Sequence, residues 1–401
     1  MDTLGIYISV PFCRSKCSYC NFASGVHNAN SLDSYVRNLV ADIRGIRSQL
    51  SPMDAHVPNR VDSIYLGGGT PSVVPPALLQ LLFVALRDEF EVSQDAEVTV
   101  ECAPGQAGDD FLQAARDAGV NRLSFGVQSF VDREAAVTGR LHNREIALND
   151  LRRAREAGIG RLNVDLIAGL PSQSAASWNE SLQVLAETGV THSSVYMLEV
   201  DEDSRLGREL LAGGGRYHAD SVPSDDQIAD FYLAAVERLT SRGLKQYEIS
   251  NFALPGFEAI HNEKYWLRKP YLGFGTDAHS MLRTGCGGAL RFETSDNLDD
   301  YLAGQTNRSF RLVPRCEELE EAWFLGLRRS DGVSPSTLND EFGEAANLYH
   351  EVIAGLAADG LMEWMGDTVR LTREGQLMSN EVFARFLQSD RSEPEPALEI
   401  I

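Results

Sequence analysis

A repeated alternation of strand-like and helix-like segments over the first 250 residues constrains the fold of this chain most strongly. Apolar runs rich in β-branched residues occur at 6–10, 61–66, 97–101, 122–126, 161–167 and 194–198. Amphipathic stretches with helical spacing lie between them, at 32–49, 77–90, 109–118, 144–157 and 175–188. Such βα units are typical of parallel strands joined by right-handed crossovers. The sequence therefore predicts an α/β fold with a partial (βα)6 TIM-like barrel, and a complete eight-unit barrel is the alternative.

The composition changes along the chain and suggests further divisions beyond the barrel of residues 1–250. Residues 251–314 are rich in Gly, Asn and Tyr, so we expect an irregular segment there. Residues 315–388 regain helical spacing and end with a short strand–turn–strand pattern, which predicts a winged-helix-like α+β domain. Residues 389–401 are acidic and contain Ser-Glu-Pro-Glu-Pro, so we expect a disordered tail.

Length, charge and cysteine usage exclude several classes of protein. The chain has 401 residues, 43% of them hydrophobic, which suffices for one large domain and a smaller one. Its net charge of −22 repels nucleic acid and anionic lipid, so we expect no nucleic-acid partner. No apolar run reaches the length of a membrane span. Six cysteines, three of them clustered, do not form the pattern of a secreted disulfide framework, which favours a cytoplasmic location.

Three cysteines follow the first predicted strand directly, in the run Cys13-Arg-Ser-Lys-Cys17-Ser-Tyr-Cys20. Three thiolates with this spacing can hold three irons of a [4Fe–4S] cluster and leave the fourth iron open to a ligand. Two alternatives remain open: a Cys3His zinc site completed by His27, or buried thiols that act as small apolar side chains. The place of the run favours the cluster, because the reactive groups of a βα barrel lie at the carboxyl ends of its strands.

Further polar and glycine residues fall at the same end of the predicted barrel. A Gly-Gly-Gly-Thr sequence at 67–70 follows the second strand, where glycines let the backbone approach a ligand closely. Glu101 closes the third strand, Gln128 follows the fourth and Asp165 lies within the fifth. Arg140 lies in the loop after the fourth strand. A strand-end carboxylate suits ribose hydroxyls, and an arginine suits a ligand carboxylate.

Several motifs in combination resemble those of a known family. These are the cysteine run, Gly67-Gly-Gly-Thr-Pro71, Gly126-Val-Gln-Ser129 and Asn163-Val-Asp-Leu-Ile-Ala-Gly-Leu-Pro171. Together they resemble radical S-adenosylmethionine (SAM) proteins of the oxygen-independent coproporphyrinogen III oxidase group. In that superfamily the cysteines bind a [4Fe–4S] cluster, SAM chelates its open iron, and reductive cleavage yields methionine and a 5′-deoxyadenosyl radical.

The resemblance implies roles for particular residues. Cys13, Cys17 and Cys20 would bind the cluster. The residues implied to bind or flank SAM are Tyr7, Tyr19, Gly68, Gly69, Thr70, Glu101, Gln128, Arg140 and Asp165. Among these, Gly68, Gly69 and Thr70 would bind the methionine amino group. Gln128 and Arg140 would hold other polar groups of SAM. Glu101 and Asp165 would face the methionine or the ribose hydroxyls.

Within this group the chain resembles the HemW haem chaperone family. The marker is His261-Asn262-Glu-Lys-Tyr265-Trp266, followed by Tyr271-Leu-Gly-Phe-Gly275 and Ala278-His279-Ser280. The resemblance implies haem binding by His261, Asn262, Tyr265 and Trp266, since imidazole can ligate iron and aromatic rings can stack on porphyrin. His142 and His279 are lesser candidates. The alternative for the motif is that His261 and Trp266 only brace an irregular segment.

The family implies a chaperone that delivers haem to a target haemoprotein, possibly a membrane-bound respiratory one. The first alternative is an oxygen-independent coproporphyrinogen III oxidase, which forms protoporphyrinogen IX. It is disfavoured because that oxidase has a further cysteine two positions after the third cluster cysteine, where this chain has Phe22. Glu199 also replaces a small residue of the oxidase. The second alternative is another radical SAM protein on the same scaffold, such as a methyltransferase or a haem-degrading relative.

Overall fold

Strands and helices alternate through the first half of the chain, as the sequence predicts. The structure is a computed structural model that describes residues 2–26, 29–285 and 287–387. His27 and the predicted tail 389–401 lie outside these residues. The strands are β1 (Leu4–Ser9), β2 (Ala55–His56), β3 (Arg60–Gly67), β4 (Glu91–Cys102), β5 (Arg122–Gln128), β6 (Arg161–Ala168), β7 (His192–Met197), β8 (Lys245–Gln246), β9 (Asn251–Ala253), β10 (Tyr271–Phe274), β11 (His279–Thr284), β12 (Ala289–Thr294), β13 (Arg308–Val313), β14 (Met362–Met365) and β15 (Thr368–Leu371).

The helices cover the strands and build the smaller C-terminal part. They are α1 (Ala29–Leu50), α2 (Pro76–Glu89), α3 (Asp109–Asp117), α4 (Asp132–Val137), α5 (Arg144–Glu156), α6 (Ala175–Thr188), α7 (Arg205–Leu211), α8 (Asp225–Ser241), α9 (Ile260–Trp266), α10 (Leu298–Leu302), α11 (Arg315–Gly326), α12 (Pro335–Phe342), α13 (His350–Ala358), α14 (Arg373–Leu377) and α15 (Ser379–Ala384). Within the described residues, no helix is long and apolar enough to cross a membrane.

Six consecutive parallel strands, β1-β3-β4-β5-β6-β7, form the predicted partial barrel. The six strands do not close into a barrel, because β1 also pairs with β10 at one edge and β7 with β9 at the other. The first addition is parallel and the second antiparallel. The partial barrel is therefore confirmed over the complete eight-unit barrel.

Side-chain alternation separates a dry face of the sheet from a polar one. In β1 the side chains of Leu4, Ile6 and Ile8 are fully buried in the main hydrophobic core beneath the helices. Tyr7 points to the inside of the barrel, where its ring lies 6.1 Å from that of Tyr65 on β3. The same alternation in the other strands leaves the interior of the barrel polar and aromatic.

Residues 251–314, expected to be irregular, form β9 to β13 with α9 and α10. The strands β10 to β13 extend the sheet, and α9 packs against β1 and β3. These strands are hard to recognise in the sequence because β10 is buried on both faces and shows no alternation. The Gly-rich and Asn-rich connections gave the whole stretch the composition of a loop.

Helix α9 fits inside the barrel because β1 carries a glycine at the point of contact. A Cβ atom on Gly5 would lie 2.7 Å from Cδ of Lys264 and 3.3 Å from Cε1 of His261. Lys264 forms an ion pair of 2.7 Å with Asp62 at the edge of the barrel. The helix thus lies against the inner face of the first two strands, and it brings His261 into the interior.

The C-terminal part has a hydrophobic core of its own. Helices α11 to α13 are followed by the β14–β15 hairpin and then by α14 and α15, as in a winged helix. Trp323, fully buried, stacks on Phe386 with ring centroids 5.3 Å apart. This arrangement confirms the winged-helix-like fold. The exact division of the chain into domains stays a prediction.

Candidate functional site

A cavity of about 610 Å³ opens at the carboxyl ends of the barrel strands. All six parallel strands or the loops that follow them contribute side chains to its wall. Ligand sites of βα barrels occur at this end, since the loops there can vary without disturbing the strands. Every residue predicted from the sequence to bind the cluster or SAM lines this cavity except Tyr7.

The three cysteines face the cavity from a loop that is tied to its surroundings. The backbone N–H of Cys13 donates to Gly25 (2.9 Å), and Ser18 N–H donates to Thr138 O (3.1 Å). The ammonium of Lys16 donates to the carbonyls of Phe22 (3.1 Å) and Ser24 (3.0 Å), which closes the loop on itself. These hydrogen bonds fix the backbone that carries the three thiols.

Each cysteine sulfur has a polar neighbour. Thr70 Oγ1 donates to Cys13 Sγ (3.6 Å), and Arg140 Nη1 donates to Cys17 Sγ (3.4 Å). Cys20 Sγ lies 3.9 Å from the hydroxyl of Ser24. Burial raises the pKa of the Cys13 thiol, and the nearby Cys17 and Cys20 thiols raise it further. The three cysteines are free, so none is committed to a disulfide.

Gly69 allows the loop after β3 to pack closely against the backbone of residues 10–12, which leads to the cysteines. A Cβ atom at this position would lie 2.6 Å from the carbonyl oxygen of Val10 and 2.9 Å from the nitrogen of Phe12. Thr70 N–H donates to Phe12 O (2.9 Å) just beyond this contact. The glycine run predicted to approach a ligand therefore also fixes the cysteine loop.

Glu101 is a carboxyl group that its surroundings keep partly protonated. Burial raises its pKa to about 7, and the charge of Asp165 acts in the same direction. The hydroxyl of Tyr65 donates to Glu101 Oε1 (2.8 Å) and lowers the pKa in part. This carboxyl can therefore accept or donate hydrogen bonds near neutral pH.

Asp165 and Arg140 complete the charged wall of the cavity. Asp165 accepts hydrogen bonds from Asn163 Nδ2 (2.6 Å) and Ser124 Oγ (3.2 Å). Burial raises the pKa of Asp165, while these donors and Arg140 lower it. Arg140 donates to the carbonyl of Gly126. The arginine is thus held between the end of β5 and the cysteine loop.

Two features of Gln128 indicate that its side chain binds a ligand. It ends β5 with a φ of 69°, in the left-handed region that is costly for a residue with a side chain. Its Oε1 atom is buried and has no hydrogen-bond partner within the described residues. The same is true of Oε1 of Gln106, which also lines the cavity. A buried amide oxygen without a donor is unfavourable, so a bound molecule would stabilise both.

The residues of the cavity fit a [4Fe–4S] cluster with SAM. Three free thiols face one space, and each ligand of such a cluster binds a different iron. In the described ranges no three His, Cys, Asp or Glu side chains, the three cysteines included, converge as the ligands of a single metal ion would. SAM carries a sulfonium and an ammonium against one carboxylate, and the cavity matches this with Glu101 and Asp165 against Arg140.

A second cavity of about 360 Å³ adjoins the first, and Phe22 and Gly68 line both. Tyr7 lines the second cavity and not the first, so it lies on the other side of Phe22 and Gly68. The other residues of the wall come from the end of β1, the cysteine loop, helix α9 and the segment 271–279: Ser9, Ala23, Tyr265, Tyr271, Asp277 and His279.

The four residues predicted to contact haem do not share one surface. His261 is buried, and its nitrogens Nδ1 and Nε2 lie 3.0 Å from Ser63 Oγ and 2.8 Å from the Tyr265 hydroxyl. Asn262 and Trp266 are half-buried. The guanidinium of Arg328 stacks on the Trp266 ring at 4.3 Å. His261 therefore has no free nitrogen for an iron, and only Tyr265 of the four lines the second cavity.

Sequence reasoning missed several residues of the main cavity. They support the predicted residues or complete the wall: Tyr65, Gln106, Ser124, Asn163 and Tyr196. Tyr65 lies two positions before Gly67 at the end of β3, and Ser124 lies two positions before Gly126 within β5. Since side chains alternate, counting back by two would have placed both on the inner face. Polar residues at the strand ends did not by themselves indicate which earlier residues face the inside of the barrel.

Comparison with known proteins agrees with this geometry. The family model of the Radical SAM superfamily matches residues 7–185, and that of the HemN C-terminal domain matches residues 313–378. The structure of the coproporphyrinogen III oxidase HemN from Escherichia coli has a TM-score of 0.80 and 25% sequence identity. The similarity covers 96% of this chain and 90% of HemN. It accounts for both the barrel and the C-terminal part.

Two sequence relatives extend over nearly the whole chain. The protein named Heme chaperone HemW from Bacillus subtilis is 32% identical over 388 residues, covering 95% of this chain and 98% of its own length. Radical S-adenosyl methionine domain-containing protein 1, mitochondrial, from Mus musculus is 34% identical, covering 95% and 87%. The superfamily implies a [4Fe–4S] cluster and SAM. The chain therefore belongs to the HemW haem chaperone family of the radical SAM superfamily.

Proposed function

We propose that the protein is a haem chaperone that binds haem beside a SAM-chelating [4Fe–4S] cluster and delivers it to a target haemoprotein. The observation that carries the proposal is the second cavity, where aromatic residues from the marker segments adjoin the cofactor cavity. Apolar and aromatic walls of this size are typical of sites for small organic molecules. The names of the relatives support haem as that molecule.

In this proposal each predicted residue has a role at the cofactor. Cys13, Cys17 and Cys20 bind three irons, and the bound cluster supplies an open iron and an electron for SAM. Gly68, Gly69 and Thr70 face the methionine amino end. The remaining SAM-facing residues are Tyr19, Glu101, Gln128, Arg140 and Asp165, which the cavity brings together. Tyr7 acts in the adjoining cavity instead.

The coproporphyrinogen III oxidase reaction is the second candidate, since the overall similarity to HemN favours it. Phe22 argues against it. That oxidase has a cysteine at this position, whereas here a side chain that is 62% exposed lies between the two cavities. We therefore expect no conversion of coproporphyrinogen III.

The chaperone hypothesis also bears on partners and location. A carrier for a respiratory haemoprotein would act on the cytoplasmic side of a membrane, which is the location that the cysteine usage favours. The net charge of −22 favours a haemoprotein partner with a basic face over contact with anionic lipid.

The test combines haem binding and turnover in one preparation. Protein reconstituted anaerobically with iron and sulfide is titrated with haem, and the Soret band is followed. The same protein is then incubated with coproporphyrinogen III, SAM and a reductant, with HemN from Escherichia coli as the positive control. We expect near-stoichiometric haem binding and no protoporphyrinogen IX. Turnover comparable to that of HemN, or no haem binding, would contradict the chaperone function.

A further inference from the structure

Building on the proposed binding of haem, we propose that His279 is the ligand of the haem iron and that the second cavity holds the porphyrin. This places the haem site on the first strand of the β11–β12–β13 extension of the sheet, away from His261. The proposal rests on three features: the carboxylate beside His279, the aromatic wall of the cavity, and the part that His261 plays in that wall.

His279 lies at one end of a row of three polar side chains across neighbouring strands. It lies directly opposite Glu293 in the β11–β12 pair, and its Nδ1 atom is 3.4 Å from Glu293 Oε2. Glu293 lies opposite Ser309 of β13, whose hydroxyl donates to Glu293 Oε1 (3.1 Å). The antiparallel register thus sets all three side chains in a row across the sheet.

This arrangement is typical of a histidine that binds a metal. A carboxylate on one ring nitrogen fixes the tautomer and leaves the other nitrogen as a stronger donor to the metal. His279 lines the cavity, and its side chain is 60% exposed. An imidazole nitrogen is thus available at the mouth of an aromatic cavity.

The wall of the cavity suits a flat aromatic ligand. The rings of Tyr265 and Tyr271 meet edge to face with centroids 4.6 Å apart, which makes a rigid corner. Tyr7 adds a third ring from inside the barrel, and Phe22 adds a fourth from the cysteine loop. The volume of about 360 Å³ lies in the range of small-molecule sites, so a porphyrin would enter with part of its edge exposed.

His261 has a supporting role in this site. Its Nε2 atom and the hydroxyl of Tyr265 are 2.8 Å apart, and the two rings meet edge to face. Burial lowers the pKa of His261 to about 3, so it stays neutral and can act as a fixed hydrogen-bonding partner. The histidine of the marker motif is therefore a positioning residue that orients Tyr265 toward the cavity.

The experiment compares His279→Ala with the wild type and with His350→Ala, which changes an exposed histidine in the C-terminal part. Haem is titrated into each protein, and the Soret band and the electron paramagnetic resonance spectrum are recorded. We expect His279→Ala to lose the histidine-ligated spectrum and His350→Ala to keep it. Added imidazole should restore that spectrum in His279→Ala.

Glu293→Gln tests the hydrogen-bonded row itself. An amide keeps the size of the side chain but removes its charge, so we expect roughly a 10- to 100-fold loss of haem affinity and a shifted spectrum. An unchanged spectrum and affinity in His279→Ala, with haem bound by the wild type, overturns the assignment of the ligand and leaves the chaperone function standing. A wild type that binds no haem overturns both.

Discussion

The surroundings of three ionisable side chains in the main cavity shift their pKa values. Burial raises the pKa of Glu101 to about 7 and also raises that of Asp165. Burial lowers the pKa of His142, whose Nε2 lies 3.2 Å from Val127 O, to about 4. The wall of the cavity therefore carries less charge at neutral pH than its composition suggests. A bound cation such as SAM would lower the pKa of both carboxyl groups and favour their ionised form.

Glu101 gives a prediction for the pH dependence of stability. Its pKa rises from 4.5 in the unfolded chain to about 7 in the folded one, so the folded state holds a proton that the unfolded state releases. Between these values the free energy of unfolding should fall as pH rises, by up to about 3 kcal/mol, and it should level off above pH 7. Glu101→Gln should remove this fall.

The measurement is chemical unfolding of the cofactor-free protein at several pH values. Glu156→Gln serves as the control, because Glu156 is exposed and forms an ion pair with Arg152 on the same helix. It should keep the pH dependence of the wild type. A parallel dependence in Glu101→Gln would mean that another group is responsible.

The sequence allowed some of these residues to be predicted and not others. The cysteines, Glu101, Gln128 and Asp165 are polar groups at strand ends, and barrel topology alone brings such groups together. Tyr7 was predicted to flank the cluster and SAM, and this role stays a prediction; the sequence did not show that Tyr7 lines a second cavity, which meets the first at Phe22 and Gly68. The haem-ligand role of His261 also stays a prediction, and the sequence could not show that its Nδ1 atom lies 3.0 Å from the hydroxyl of Ser63, 198 positions away.

At the scale of elements, helix α9 lies in the segment for which the composition predicted an irregular structure. It is only seven residues long, yet it carries a buried histidine and a buried lysine into the barrel. Its position depends on Gly5 of β1 and on hydrogen bonds to β3 and β4, none of which is local in sequence. A short helix of this kind is stabilised by tertiary contacts more than by its own propensity.

Lys264 anchors this helix, and its removal should weaken the fold. The ammonium is 2% exposed, and it lies 2.7 Å from Asp62 Oδ1 and 3.2 Å from the carbonyl of Thr3. Lys264→Ala would leave Asp62 without its cation and open a space beside Gly5. We expect the free energy of unfolding to fall by about 3 kcal/mol.

Arg37→Ala is the matched control, because Arg37 and Asp33 form an ion pair on the surface with side chains 63% and 46% exposed. Its loss should cost less than about 1 kcal/mol. Both variants are compared by urea unfolding at one pH. Equal effects would show that burial of the Lys264 ion pair contributes nothing to the position of α9.

At the scale of the whole molecule, two hydrophobic cores meet across a largely polar boundary. The main core lies between the sheet and its helices, and the second lies among α11 to α15 and the β14–β15 hairpin. Ion pairs cross between them, among them Arg268–Glu341 (2.8 Å), Arg291–Glu321 (2.9 Å) and Arg329–Glu263 (3.3 Å). Ion pairs themselves bury little apolar area, so we expect the two parts to open separately.

Phe386 tests this independence. Its ring is fully buried and stacks on Trp323 and on Tyr349, with the latter centroid 5.7 Å away. Phe386→Ala should cost about 3–5 kcal/mol, because it leaves a cavity in a small core. Hydrogen exchange should accelerate over residues 315–387 and stay unchanged in β1 and β5. Leu387→Ala, at a side chain 53% exposed, should leave exchange unchanged throughout. Acceleration of the barrel strands by the same factor would contradict separate opening and make the molecule one cooperative unit.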